Sequence, residues 1–389
     1  MNRSWQAGLA ALALLGIGGC TTVNDFFAGK DNSDPPAPLT ALQSGVAVQT
    51  LWSARVGAGS DKQYIKLSPI VVGGKAFAAD RKGRVSAYDA AGGQQLWSAD
   101  TKAPISGGPG NGEGLVLVGT SEAEVLALDE NTGKEVWRAR VSSEVLSAPR
   151  AAQGRVVVRT IDGKLFGLNA ADGKRVWVYE QTVPALTLRA TSAPLLADDK
   201  VIGGFASSKL VALSLSEGKL LWETAVAEPR GRTELERLVD ISGEPQAQDG
   251  VVYVASFQGR IAAVEMDSGR LLWARDMSSY SGVGVDESMV YVTDAQSHVL
   301  ALDRRDGRTL WKQDKLHARG VTAPAAYGDY VVVGDFEGYL HWLARDDGSF
   351  AARVRVDDAG IIAAPTVSDD TLYVSGKGGV LAAFKADTR

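Results

Sequence analysis

Apolar and polar residues alternate along most of the chain from about residue 46 onward. The segment VVYVASFQGRIAAVEMDSGRLLWAR, residues 251–275, holds three alternating stretches, separated by turn residues at Gln258-Gly259 and Ser268-Gly269. Alternation with a period of two predicts half-buried strands, and glycine beside a polar residue predicts a tight turn. With one more short strand near Pro245, the pattern predicts a unit of four strands and no helix.

This unit recurs along the chain, and each copy carries a polar turn with glycine before a closing Trp. Six copies read SAYDAAGGQQLW, LALDENTGKEVW, FGLNAADGKRVW, VALSLSEGKLLW, AAVEMDSGRLLW and LALDRRDGRTLW, ending at Trp97, Trp137, Trp177, Trp222, Trp273 and Trp311. A Pro lies 28 residues before the Trp in five copies, and Val283 holds that place in the sixth. Repeats of roughly 40–50 residues are typical of β-propeller blades. We therefore expect the recurrent Trp to pack between neighbouring blades.

The last two copies depart from this frame. In the seventh, Ala352 stands where Trp is expected, and Phe350, two residues earlier on the same strand face, is expected to fill the space. The eighth begins near Pro365 and stops before its closing strand, whereas VQTLWSARV around Trp52 is a spare closing strand ahead of the first copy. The sequence therefore predicts an all-β fold, an eight-bladed β-propeller of four-stranded blades. Its N-terminal strand is expected to complete the last blade, which leaves no free edge in the ring.

The composition narrows the class of protein. A length of 389 residues allows two or three domains, but the repeat favours one closed ring over residues 46–389. A net charge of −5, with 22% charged residues, argues against the broad basic surface of a nucleic-acid-binding protein. The chain has no apolar run of about 18 residues, so no membrane-spanning segment is predicted in the mature protein.

Residues 1–19 predict an export signal, with Arg3, an apolar stretch from about Ala7 to Ile17, and small residues after it. The single Cys of the chain, Cys20, stands at the predicted cleavage point. This arrangement resembles a bacterial lipobox and implies acylation of Cys20 at the mature N-terminus. A plain signal peptide is the alternative. Thr21 rather than Asp follows, which by resemblance to lipoproteins of diderm bacteria favours the outer membrane, facing the periplasm.

Residues 20–45 are predicted to be a flexible tether that carries the lipidated N-terminus. They include KDNSDPPAPL, are rich in Pro and Asp, and show no periodicity. Fully extended, about 25 residues span at most about 85 Å. The propeller can therefore hang in the periplasm while its lipid stays in the membrane.

The sequence contains no recognisable catalytic or metal-binding motif. It has no HExxH, CxxC, GxSxG or P-loop, and the glycine-rich GGPGNGEG at 107–114 opens no helix and is typical of a turn. The three histidines, His298, His317 and His341, stand at different positions of the repeat. Acidic pairs fall at predicted turns, where Asp bonds the local backbone. We therefore predict no catalytic residue, no metal and no cofactor.

The turn-and-Trp phrase resembles the repeats of pyrroloquinoline quinone dehydrogenases, which share the eight-bladed scaffold. Those enzymes carry long insertions, a Ca²⁺ over the cofactor and usually a vicinal Cys pair. The repeats here are nearly bare, and the only Cys is the predicted lipidation site. A shared fold does not imply a shared function. The chain is therefore predicted not to be an enzyme.

The lipobox, the eight repeats and three specific segments, PALTLRATSAP, TELERLVD and VVGDFEGYLHWL, together resemble the BamB family over the whole mature chain. Members of that family are lipoprotein subunits of the outer-membrane β-barrel assembly machinery. The resemblance implies a non-catalytic scaffold that binds the periplasmic (POTRA) domains of the central barrel subunit, BamA, and assists unfolded outer-membrane proteins in folding and insertion. The alternative is a lipid-anchored propeller that binds a solute or glycan in its central funnel.

The lengths of the connections between units predict where a partner binds. Most run 10 to 13 residues from the Trp position to the next Pro position, but three are longer: Trp52 to Pro69 takes 17, Trp177 to Pro194 takes 17 and Trp222 to Pro245 takes 23. The last two are consecutive junctions, so we expect their loops side by side on one face, with leucines beside charges as in a compact binding patch. The alternative is that the leucines tuck between blades and only stiffen the loops.

The resemblance to the BamB family implies specific contact residues on these loops. It places the partner contacts at Leu186, Leu188, Arg189 and Asp240. Family sequences often carry a second Asp where this chain has Ser242. The sequence leaves open whether Ser242 weakens this second charge contact.

Overall fold

The structure, a computed structural model, describes residues 34–42, 45–189 and 192–387. The chain from Pro36 to Arg389 forms one compact unit. Among the described residues, 32 strands form eight four-stranded antiparallel sheets, which confirms the predicted eight-bladed propeller. No helix in these residues has the length and apolar character needed to cross a bilayer. The export signal and Cys20 lie outside the described residues.

The strands follow the repeat copies in chain order. The first strand is β1 (Val48–Arg55). Blade 1 consists of β2 (Ile70–Val72), β3 (Lys75–Ala79), β4 (Arg84–Asp89) and β5 (Gln95–Asp100). Blade 2 consists of β6 (Ile105–Gly112), β7 (Leu115–Thr120), β8 (Glu124–Asp129) and β9 (Glu135–Arg140). Blade 3 consists of β10 (Arg150–Ala152), β11 (Arg155–Arg159), β12 (Lys164–Asn169) and β13 (Arg175–Glu180). Blade 4 consists of β14 (Leu195–Ala197), β15 (Lys200–Gly204), β16 (Lys209–Ser214) and β17 (Leu220–Ala225), with a short 3-10 turn at Ala206–Ser208.

The remaining blades repeat the same order. Blade 5 consists of β18 (Gln246–Gln248), β19 (Val251–Ala255), β20 (Gly259–Glu265) and β21 (Leu271–Met277). Blade 6 consists of β22 (Val283–Val285), β23 (Met289–Thr293), β24 (Val299–Asp303) and β25 (Thr309–Gln313). Blade 7 consists of β26 (Ala325–Tyr327), β27 (Tyr330–Gly334), β28 (Tyr339–Ala344) and β29 (Phe350–Arg355). Blade 8 consists of β30 (Thr366–Ser368), β31 (Thr371–Ser375) and β32 (Val380–Ala386), and β1 pairs with β32 as its fourth strand.

The core lies between the blades, because each sheet is covered on both faces by its neighbours. On β11 of blade 3, Val156 and Val158 pack into a cluster with Leu117 of blade 2, while Val157 faces a cluster with Val211 of blade 4. The middle strands are therefore buried on both faces rather than one. Their sequences are accordingly continuous apolar runs. The alternating pattern in the sequence is clearest where a strand is exposed, at the rim.

Each Trp locks its blade to the following one, as predicted. Trp177 of blade 3 donates its indole N–H to the carbonyl of Leu215 in blade 4 at 3.0 Å. Gly218 in the same turn has φ +68°, and a Cβ there would lie 2.5 Å from the indole ring, so only glycine fits. A β-bulge lies immediately before Trp177 on β13, because Gly167 pairs with Trp177 whereas the next residue, Leu168, pairs with Arg175. The indole of each further closing Trp bonds the next blade in the same way, at Trp52, Trp97, Trp137, Trp222, Trp273 and Trp311.

The ring closes through β1, as predicted. The strand pairs with β32 from Val48 opposite Ala386 to Arg55 opposite Val380, with an irregularity between Thr50 and Trp52 that matches the bulge of the other closing strands. Trp52 then bonds the carbonyl of Ala90 in blade 1 at 2.8 Å. The N-terminal strand therefore reproduces the pairing, the bulge and the Trp hydrogen bond of the outer strand in an ordinary blade.

The prediction that Phe350 takes the place of the missing Trp is wrong. Phe350 packs toward blade 6, beside the cluster around Trp311. The interface between blades 7 and 8 is filled instead by Trp342, which is fully buried and meets Phe384 edge-on at 6.0 Å. The physical reason lies in blade 8, where β32 and β1 are not joined by a turn. A Trp at position 352 would therefore have no glycine turn on which to rest.

Part of the segment predicted to be a flexible tether, around residues 37–40, contacts the ring. Ala37 donates its N–H to the carbonyl of His317 at 2.9 Å, and the Thr40 carbonyl accepts a bond from Arg353 at 2.9 Å. Leu39 packs beside the cluster between blades 6 and 7. The part of the tether around residues 37–40 is thus held against the ring by specific contacts.

Candidate functional site

The two long connections predicted to carry function meet on one face of the ring. They join β13 to β14 and β17 to β18, so both are loops that pass from one blade to the next. The backbone N–H of Leu188 in the first loop donates to the carboxylate of Asp240 in the second at 2.7 Å. The loops therefore lie side by side, as their consecutive positions in the repeat predicted.

Asp240 organises the contact between these loops rather than presenting a charge to solvent. Its side chain is 5% exposed, and its second oxygen accepts a bond from the N–H of Ser207 at 3.3 Å. Burial raises the pKa of Asp240, while the two backbone donors and the nearby Arg159 favour the charged form. The residue predicted as a partner contact is thus a positioning residue in the structure.

Arg159 is a buried cation beneath the loops that the sequence reasoning missed. It lies over the ring of Phe205 at 4.6 Å and donates to Ser192 Oγ at 3.0 Å and to the carbonyl of Gly204. Burial lowers its pKa to about 10, and Asp240 opposes that shift. Its Nε has no partner among the described residues. In the sequence, the only indication of this site is an Arg that follows three consecutive valines of a predicted strand. The sequence does not show which groups contact the Arg159 side chain.

The second loop is shaped by a single tight turn. Thr233 and Glu236 form a capping box, in which Glu236 N–H donates to Thr233 Oγ1 at 3.2 Å and Thr233 N–H donates to Glu236 at 3.1 Å. The backbone N–H groups of Arg232 and Thr233 both donate to the Glu236 carboxylate and lower its pKa. The turn directs Leu238 into the core and leaves Leu235 64% exposed. The alternative in which all the leucines tuck inward therefore holds for Leu238 and fails for Leu235.

The first loop presents the remaining predicted contacts. Leu186 is 40% exposed, and Leu188 is half-buried. Arg189 is exposed and pairs with Glu144, from the loop between blades 2 and 3, at 2.8 Å. We call Leu186, Leu188, Arg189 and Leu235 the two-loop surface. This surface combines apolar side chains with one positive charge, that of Arg189, whose side chain is oriented by its ion pair with Glu144.

Ser242 is the position at which the sequence left a second charge contact open. Its side chain is buried, and its hydroxyl donates to the carbonyl of Tyr280 at 3.4 Å. A larger charged group here would displace this contact. Ser242 is therefore a buried, uncharged side chain at this position.

The central funnel is the other candidate site. It encloses a cavity of about 530 Å³ lined by the inner strands and by Lys66, Arg150, Arg189 and Glu244. Lys66, from the loop before blade 1, reaches across the ring and donates to the carbonyl of Tyr280 at 3.2 Å. Burial lowers the pKa of Lys66, and Glu244 opposes the shift. Arg150 pairs with Glu244 at 3.5 Å. The charged groups at this mouth are thus engaged with protein partners.

Comparison with known proteins agrees with this architecture. The family model described as outer membrane protein assembly factor BamB matches residues 81–313 and 295–389. A relative of that name from Pseudomonas aeruginosa is 46% identical over 381 residues, covering 98% of each chain. One from Xanthomonas campestris is 40% identical over 394 residues, covering 98% of this chain and 97% of the relative.

The chain belongs to the BamB family.

Solved structures place the BamB fold among related propellers. The crystal structure of BamB from Moraxella catarrhalis superposes with a TM-score of 0.80 at 29% identity, covering 87% of this chain and 100% of that chain. A quinohemoprotein alcohol dehydrogenase from Comamonas testosteroni gives a TM-score of 0.69 at 15% identity, covering 87% of this chain and 76% of its own. At that identity the second likeness shows the fold alone.

Proposed function

We propose that this chain is a lipid-anchored, non-catalytic scaffold of the outer-membrane β-barrel assembly machinery. Membership of the BamB family supports a role in outer-membrane protein assembly. In this proposal the lipid on Cys20 holds the protein at the outer membrane, facing the periplasm. The two-loop surface binds the periplasmic POTRA domains of BamA, and the complex assists folding and insertion of outer-membrane proteins.

The observation that carries the proposal is the bond between Leu188 N–H and Asp240, which fixes the two loops to each other. Because the loops are fixed before a partner arrives, less conformational entropy is lost on binding. Leu186 and Leu235 remain exposed beside Arg189, a combination that suits an apolar anchor with a charge that sets register. Exposed leucines with charged neighbours are features of protein-binding patches.

The test is co-purification of BamA with the variant Leu186→Ala/Arg189→Ala. Truncation of hot-spot residues costs about 2 kcal/mol or more, which weakens binding by about 30-fold. We expect the variant to lose BamA from solubilised outer membranes while its melting temperature stays near that of the wild type. Leu188→Ala/Arg189→Ala should behave alike for binding, with a small loss of stability because Leu188 is half-buried.

Leu96→Ala is the matched control, since Leu96 is 50% exposed on the outer strand of blade 1, away from the two-loop surface. It should retain BamA. Asp240→Ala tests the positioning role separately. It should weaken binding and speed hydrogen exchange at Leu188 N–H. Retention of BamA by the Leu186/Arg189 variant would overturn the proposal.

Binding of a solute or glycan in the central funnel is the rival function. Lys66 and Arg150, two cations that line the funnel, already bond Tyr280 and Glu244, which argues against their serving a solute. A melting shift with saccharide or small-molecule panels, removed by Lys66→Ala, would favour the rival. A chromophore acquired with pyrroloquinoline quinone and Ca²⁺ would instead reveal an enzyme.

A further inference from the structure

An extended segment of this chain lies along blade 7 and is held mainly through its backbone. Arg319, in the loop between blades 6 and 7, donates to the carbonyl of Ala37 at 3.0 Å. The Ala37 N–H donates to His317 in the same loop at 2.9 Å, and Arg353 on β29 donates to the Thr40 carbonyl at 2.9 Å. The donors come from two separate elements, so they define a groove rather than a single contact.

The side chains of the segment alternate like those of a strand. Ala37 and Leu39 are half-buried, whereas Pro38 and Thr40 are exposed. Leu39 packs beside the cluster that contains Trp311 and Leu316. The groove therefore receives the apolar side chains of Ala37 and Leu39 together with backbone carbonyls, and the alternation ends at Ala41, which is exposed.

The two arginines of the groove are oriented by groups that do not belong to the segment. Arg319 is 3% exposed and donates from Nε to Asp335 at 2.8 Å. Arg353 donates from Nε to His341 Nδ1 at 3.1 Å, and His341 Nε2 lies 3.0 Å from the same Asp335 carboxylate. The buried Asp335 carboxylate thus orients both arginines, Arg319 directly and Arg353 through His341. Their orientation does not depend on residues of the segment.

The outer edge of blade 7 is covered by other residues of the chain, whereas the outer edges of blades 1–6 are exposed. In blades 1–6 the residue before the closing Trp is apolar and 39–50% exposed, as for Leu96 and Leu272. The matching residue of blade 7, Ala351, is 4% exposed and belongs to the same buried cluster as Val46, just beyond the segment. The chain that enters β1 therefore covers this edge.

We propose that blades 6 and 7 carry an extended-peptide groove whose built-in occupant is residues 36–42 of this chain, and that this docking fixes where the membrane anchor leaves the ring. The loop that holds Ala37 connects two blades, as the loops of the two-loop surface do, so both lie on the same face. The anchor part of the inference rests on the proposed lipidation of Cys20. Cys20 lies 16 positions before Pro36 in the sequence, and 16 residues span at most about 55 Å.

The test uses the mature chain with Cys20→Ala, so that it is independent of acylation and of BamA. Residues 36–42 are replaced by a Gly/Ser segment of equal length. We expect a lower melting temperature, and a synthetic peptide of residues 34–45 should bind the emptied groove and restore part of the loss. The wild-type protein should bind the same peptide at least about tenfold more weakly, because its groove is occupied.

Two matched pairs sharpen the result. A peptide with Leu39→Ser should bind more weakly than the natural peptide. In the protein, Arg353→Gln should weaken peptide binding, whereas Arg355→Gln, on the same strand but paired with Asp358, should not. If the Gly/Ser protein does not fold, Leu39→Ser in the intact chain should speed hydrogen exchange at Ala37 N–H. An unchanged melting temperature, or peptide binding that ignores both Leu39 and Arg353, overturns the groove.

Discussion

Removal of the Trp52 side chain should open the ring at one defined place. Trp52 packs against Tyr88 of blade 1 at 6.1 Å and Tyr373 of blade 8 at 6.0 Å, and it donates to the Ala90 carbonyl at 2.8 Å. Its ring also supports Gly93, whose Cβ would lie 2.5 Å from it. In Trp52→Ala the contacts to blade 1 and the contact to Tyr373 within blade 8 are lost together.

The magnitude follows from the buried area and the hydrogen bond. A buried Trp covers about 150–250 Å², which at about 25 cal/mol/Å² corresponds to roughly 4–6 kcal/mol. Measured Trp-to-Ala losses in cores are about 3–5 kcal/mol. The Ala90 carbonyl keeps a second donor, the hydroxyl of Tyr373 at 3.1 Å, so no buried acceptor is left unpaired. We therefore expect about 3–5 kcal/mol of lost stability, without a further penalty for the carbonyl.

The assay is urea unfolding followed by circular dichroism, combined with hydrogen exchange of the β1 amides. Trp137→Ala is the matched comparison, because Trp137 is equally buried and bonds Ala170 at 2.8 Å inside the ring. Both variants should lose stability, but only Trp52→Ala should speed exchange across residues 48–55. A loss below about 1 kcal/mol for Trp52→Ala, or β1 exchange equal in the two variants, would refute closure through this strand.

Two further outcomes are expected. Cys20→Ala should abolish incorporation of a fatty-acid analogue and release a folded periplasmic protein, so a variant that keeps the label contradicts the lipid anchor. Burial lowers the pKa of His341, Arg353 and Arg319 add to the shift, and Asp335 opposes it. The unfolded chain therefore binds a proton more readily, and stability should fall as the pH falls below about 6.5. His341→Gln, which can keep both hydrogen bonds but does not titrate, should flatten the dependence of the urea midpoint between pH 7 and pH 5, and an unchanged slope would argue against this role.

The sequence predicted the ring because the fold is repetitive. A Trp, a glycine turn and a Pro at fixed spacing report the same local geometry in each blade, so the count of copies and the spare strand around Trp52 were enough to predict eight blades and their closure. The resemblance to the BamB family added the proposed partner and the proposed contact residues. The consecutive long junctions also predicted the meeting of the two loops, since consecutive junctions in a ring are neighbours.

The tertiary structure decided what each side chain does at irregular places. Phe350 and Trp342 lie on adjacent strands of one blade, and only the missing turn between β32 and β1 explains why Trp342 fills the interface. Asp240 reads as a surface charge in the sequence, yet it is buried because two backbone N–H groups from distant segments converge on it. Residues 36–42 have no periodic repeat in which to be recognised, and their order depends on Arg319 and Arg353, roughly 300 positions away along the chain. The local sequence pattern therefore determined the number of blades and their closure. Contacts between residues far apart in sequence determined the roles of Trp342, Asp240 and residues 36–42.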